Sequence, residues 1–99
     1  MLAFTRHEPV TCVVELDGVQ SDTTTRFYRA VWKEFEAREI PFTLHWGKVN
    51  DHLSKARVRK IYGEQTVARW IELRVGLLGD RMCEVLSNSF MYRCGLAGL

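Results

Sequence analysis

The residues of this sequence whose types and spacing suit chemistry cluster in P-F-T-L-H-W-G-K-V-N, residues 41–50. Strand side chains alternate, so Phe42, Leu44 and Trp46 fall on one face of an extended chain and Thr43 and His45 on the other. Continued one step, the alternation brings Lys48 onto the apolar face. A lysine there either reaches water beyond the strand end or meets an anionic or electron-rich group, because an unpaired buried ammonium is strongly unfavourable. Glu15 and Asp17 share a face of an earlier β-rich run. Paired carboxylates often titrate apart, so one of them can serve as a base, although a solvated strand face is the more ordinary explanation. Asn88 donates and accepts at once, which suits either a ligand contact or the N-cap of a final helical turn.

The elements that must position these residues follow from periodicity. V-T-C-V-V-E-L-D-G reads as a strand near 10–18. Ser21 or Asp22 can cap a helix near 22–38, along which Phe27, Tyr28, Val31, Trp32 and Phe35 recur at helical spacing as a core-facing stripe. Pro41 closes that helix and opens a second strand near 41–47. A short basic helix over 54–62 halts at Gly63, and a longer one over 64–78 carries Val67, Trp70, Ile71, Arg74 and Leu77 on one side until G-D at 79–80. The tail continues as an extended piece, with helical turns from Ser89. The order predicts an α+β fold, a small antiparallel sheet with helices packed on one side. Two strands alone make a marginal ribbon, so further strands are expected from another copy or a larger domain.

Composition narrows the classes. Ninety-nine residues, 46% hydrophobic and 26% charged, suit a single domain or a domain fragment over 1–99. A net charge of +2 is too small to argue for nucleic acid. The basic run S-K-A-R-V-R-K (54–60) reads as a solvated helix face, with phosphate contact the lesser alternative. Cys12, Cys83 and Cys94 form no C-x-x-C pair, which fits reduced thiols in the cytoplasm. His7, His45 and His52 lack metal-site spacing. Neither a signal peptide nor a run of ~18 apolar residues is visible.

Three stretches together carry a resemblance: H-W-G-K at 45–48 followed by the basic helix, R-V-G-L-L-G-D at 74–80, and Leu86, Asn88, Phe90 and Met91 in L-S-N-S-F-M. In this order they resemble the C-terminal end of the substrate-binding (cap) domain of vanillyl-alcohol-oxidase-type FAD-linked oxidoreductases. Within that group the likeness is to sugar-lactone and alditol oxidases and to covalent-flavin cholesterol oxidases. The match spans roughly residues 9–96. Leu86 stands where an aromatic is usual, and G-D-R replaces a D-P turn. The resemblance implies an oxidoreductase of an alcohol, sugar lactone or sterol-like substrate, with FAD bound only when a FAD-binding domain or subunit is supplied. Seven scattered glycines form no phosphate-cradling loop. It further implies that Lys48 stabilises negative charge on the flavin, that Gly47 admits the ring, that His45 contacts substrate or flavin and that Asn88 contacts the flavin or its ribityl chain, with Glu15 the candidate base. By parity His45 faces away from Lys48 unless a twist at Gly47 intervenes. The alternative is an interaction module without cofactor, its ribbon pairing with a partner or a second copy.

Overall fold

The computed structural model describes residue 2 and residues 9–98, so His7 and most of the N-terminal stretch read for a leader lie outside the described residues. The elements are α1 (Asp22–Ala37), α2 (Lys55–Tyr62), α3 (Glu64–Val85) and α4 (Ser89–Arg93). Each start has a local cause where the sequence supplies a cap. Ser21 Oγ accepts from the Thr24 N–H, Ser54 Oγ from Arg57 N–H and Asn88 Oδ1 from Met91 N–H. Gly63, at φ 85°, closes α2 by donating its N–H to Arg59 O, and its own carbonyl accepts from the Val67 N–H to open α3. Only glycine adopts that backbone without strain, and it folds α2 back along α3.

The expected α+β fold is not found: among the described residues there is no strand, and the chain is helical with extended connections. Both stretches read as strands are irregular, with no strand formed in either. Residues 10–20 are exposed throughout, with Val10 86% and Val19 83% accessible. β-propensity favours an extended backbone but supplies no partner for its N–H and C=O groups, and here none of the elements offers an edge. Residues 42–46 do not alternate as a strand would, since Thr43 is half-buried like Phe42 and Leu44. Leu44 and Trp46 pack on the helical core, and Phe42 meets Phe35 edge-on and stacks on His52.

The core lies between α2, α3 and the C-terminal segment: Leu53, Val58, Tyr62, Val67, Ile71, Cys94 and Leu96. α1 joins it through the 42–53 connection, where the Trp32 and His52 rings meet tilted at 5.0 Å between centroids and Arg29 pairs with Asp51. A Cα radius of gyration of 14.9 Å exceeds the roughly 13 Å of a compact chain this long, as the uncovered 10–20 segment requires.

The end of α3 also differs from expectation. Gly79 (φ 72°, ψ 165°) breaks the helical backbone where G-D was expected to end it, but the chain resumes helix through Val85 rather than continuing extended. Arg74 explains the return. From the first run of α3 its guanidinium donates to Cys83 O at 3.2 Å, Leu86 O at 3.1 Å and Ala97 O at 2.6 Å. It thereby satisfies carbonyls that the helix end leaves open.

Candidate functional site

The H-W-G-K stretch forms a turn rather than a strand end. Lys48 N–H donates to His45 O at 3.2 Å, and Gly47 N–H donates to His45 Nδ1 at 3.0 Å. The turn takes Lys48 off the alternation expected of 42–46, so it does not lie on the apolar face. Instead it is exposed, and its ammonium has no partner among the described residues. The same turn makes His45 and Lys48 its first and fourth residues, within the ~7 Å Cα separation of such turns, so strand parity does not separate them. Gly47 packs tightly under the histidine: a Cβ there would meet His45 Cε1 at 3.1 Å.

Trp46 anchors the turn. Its ring meets Tyr62 of α2 edge-on at 6.2 Å and Phe90 of α4 at 5.2 Å, while Lys48 and Val49 beyond it are exposed. Asn50 Nδ2 donates to Trp46 O, and Arg93 donates from Nη2 to Asn50 Oδ1 at 2.8 Å and from Nε to Leu53 O at 3.1 Å. Asn88, expected as a ligand contact or cap, is exposed and caps α4 through Oδ1. Glu15 and Asp17 sit on the exposed 10–20 segment, and no hydrogen bond or ion pair among the described residues joins Glu15 to His45 or Lys48.

A second cluster was not legible in the spacing. Glu36 of α1 accepts from Arg57 Nε at 2.7 Å and Nη2 at 3.3 Å, and lies 2.8 Å from His52 Nε2. The Arg57 guanidinium, together with His52 and against the opposing effect of burial, holds the Glu36 carboxyl at about 2 instead of the ordinary 4.5. Since that carboxylate is ionised and can only accept, His52 Nε2 must carry the proton. Arg57 is correspondingly raised by the same hydrogen bond. The cluster borders an open cleft of about 310 Å³ shared with Glu39, Phe42 and Lys60. Its charges satisfy one another, which makes it a clamp between α1 and α2 rather than a reacting group. Burial pushes the Cys94 thiol up, with Arg93 opposing, so that thiol is inert packing. Cys12, Cys83 and Cys94 are free, and no group of three metal-ligating side chains occurs among the described residues.

The roles of Arg93, Asn50 and Glu36 had no sequence signal, Arg74 showed as an arginine in register with the apolar side of α3, and Arg57, read as part of a solvated basic face, is instead half-buried against Glu36. No family model matches the chain, and neither a curated protein nor a solved structure matches it. No described helix is long and apolar enough to cross a membrane.

Proposed function

We propose that the chain is the C-terminal part of the substrate-binding domain of an FAD-dependent oxidoreductase acting on an alcohol, sugar lactone or sterol-like substrate. In this reading Lys48 is presented to the flavin. The observation that carries it is the meeting of the resemblance-bearing stretches. Trp46 of H-W-G-K packs on Phe90 of the L-S-N-S-F-M ending, 44 positions away, and Arg74 of R-V-G-L-L-G-D donates to Leu86 O and Ser87 Oγ at the start of that ending. Together they form one packed unit that carries the exposed Lys48 on its turn.

The residues fit only one edge of the cofactor. Gly47 and Lys48 form an open, cationic turn, whereas the chain has no glycine-rich loop for a pyrophosphate, so a FAD-binding domain or subunit must supply that half. When bound, FAD supplies the acceptor for a hydride from the substrate carbon. Lys48 stabilises negative charge developing at the edge it faces, Gly47 allows close approach, and His45, its Nδ1 accepting from the Gly47 N–H, contacts substrate or flavin through its ring. Asn88 spends Oδ1 on the cap and keeps its amide N–H groups for a flavin contact. Glu15 is the candidate base only if the 10–20 segment folds toward the turn on assembly. The setting is cytoplasmic, and the partners are the FAD-binding unit, a small-molecule substrate and, for the exposed valines, a possible second copy, with no nucleic acid.

A second reading, an interaction module without cofactor, is favoured by Val10, Val13, Val14 and Val19, all exposed. One experiment separates the two. The chain is joined to a FAD-binding domain, and flavin reduction is followed in wild type and Lys48→Met. The expected outcome is a rate loss on the order of 10²- to 10³-fold with a smaller change in substrate binding, because the cation acts where charge develops in the transition state. An unchanged reduction rate removes Lys48 from the chemistry, and failure of any pairing to take up FAD favours the interaction module.

A further inference from the structure

Gly47, Lys48 and Val49 at the tip of the H-W-G-K turn are exposed, and among the described residues the hydrogen bonds inside the turn run from Lys48 N–H to His45 O and from Gly47 N–H to His45 Nδ1. Further ties reach it from the far end of the chain. Arg93 Nη2 donates to both Oδ1 (2.8 Å) and O (3.2 Å) of Asn50, and its Nε donates to Leu53 O (3.1 Å). Asn50 Nδ2 in turn donates to Trp46 O. The circuit closes through the aromatic rings: the Arg93 guanidinium lies 5.6 Å from the Phe90 centroid, and Phe90 lies 5.2 Å from Trp46.

We infer that Arg93, acting through Asn50, is a positioning residue that holds the His45–Lys48 turn and so aims the Lys48 ammonium. The functional half of this inference rests on the flavin reading of Lys48; the positional half does not. The chemistry of each member is specific. Asn50 must accept from Arg93 and donate to Trp46 O at the same time, which an amide does and a carboxylate does not. Arg93 must reach three oxygens from one planar group, which a guanidinium does and an ammonium, a point donor on a flexible stem, does poorly. The circuit explains why the chain ends of a 44-residue span are tied at this one turn: the anchor residue Trp46 receives a side-chain contact on its ring and a hydrogen bond on its carbonyl from the same assembly.

The test uses the full chain. Backbone ¹⁵N relaxation is measured in wild type, Arg93→Met, Arg93→Lys and Asn50→Asp. The expected wild-type order parameters at Gly47 and Lys48 are near ~0.85, falling below about 0.6 in Arg93→Met with α1 and the first run of α3 unchanged. Arg93→Lys restores them only in part. Asn50→Asp, which keeps both Arg93 acceptors, adds a charge facing Arg93 and sets an oxygen against Trp46 O in place of the donor, loosens the turn while leaving α4 in place; it decides the matter if Arg93→Met does not fold. A turn as rigid in Asn50→Asp and Arg93→Met as in wild type overturns the inference, as does an equal loosening of every helix.

A second arm joins each variant to the FAD-binding domain. Arg93→Met is expected to slow flavin reduction, and to add nothing in the Lys48→Met background. Additive losses in the double variant overturn the claim that Arg93 acts through Lys48. A loosened turn with no change in reduction in any variant, Lys48→Met included, leaves the pin standing and refutes the flavin reading alone.

Discussion

Replacing Glu36 by Gln tests the clamp that joins α1 to the rest of the molecule. Glu36 accepts from Arg57 through both carboxylate oxygens, at 2.7 and 3.3 Å, and from His52 at 2.8 Å. Its carboxyl is held at about 2 against an ordinary 4.5, mainly by the Arg57 hydrogen bond. Such a difference would correspond to about 3 kcal/mol for a shielded pair. The Glu36 and Arg57 side chains are 34% and 41% exposed, so solvent screening reduces the net contribution to about 1 to 2 kcal/mol. The sign follows from the depressed value. The folded state binds the proton more weakly than the unfolded chain, so the contribution is complete above about pH 5 and is lost as pH falls from about 4.5 to 2. Glu36→Gln cannot titrate there, and it turns an amide N–H toward Arg57. Urea unfolding followed by tryptophan fluorescence, with Trp32 against His52 as the local reporter, is expected to show the variant about 1 to 2 kcal/mol less stable at pH 7. At pH 2 the two proteins should converge. A difference that is the same at pH 7 and pH 2 would refute the reasoning, because it would then come from packing rather than from the charge. A double-mutant cycle with Arg57→Met should return most of the pH-dependent part as coupling between the two residues.

Two further outcomes are expected on stability. Leu53, 1% exposed and touching the core beneath the Asn50 turn, should lose about 2 to 5 kcal/mol as Leu53→Ala in the same urea experiment, and a loss below ~1 kcal/mol would mean that the site collapses around the missing atoms. Asn88→Ala removes the cap of a five-residue helix and should cost about 1 kcal/mol, while Asn88→Ser, which can still accept from the Met91 N–H, should lose only a fraction of that; equal losses would assign Asn88 to something other than capping.

Residue by residue, the local parts of this fold were legible. Ser21 caps α1, Gly63 divides α2 from α3, and Asn88 caps α4, each as one of the alternatives the sequence allowed, because a cap is a contact across three residues and a glycine's φ is a property of one. That Phe42, Leu44 and Trp46 would pack against something was legible too, although Thr43, expected on the opposite face, is half-buried as well. What the pattern did not contain was a ladder. Val10 to Leu16 carry the same pattern and remain uncovered, because a strand exists only where a second backbone answers its hydrogen-bonding groups, and no property of one segment says whether that backbone is there.

The candidate site was half legible for the same reason. His45, Gly47 and Lys48 announce themselves by type, but strand parity assigned Lys48 to the apolar face, and a turn closed over three residues carried it into solvent. That turn is stabilised by Asn50 and Arg93, residues 43 apart, and the clamp beside it unites Glu36 with His52 and Arg57 across 16 and 21 residues. Side-chain hydrogen bonds over such separations leave no period in a sequence. They form only after packing of α2, α3 and the C-terminal segment has brought the groups within about 3 Å of one another, so tertiary structure alone decided where the one uncommitted charge of this turn would point.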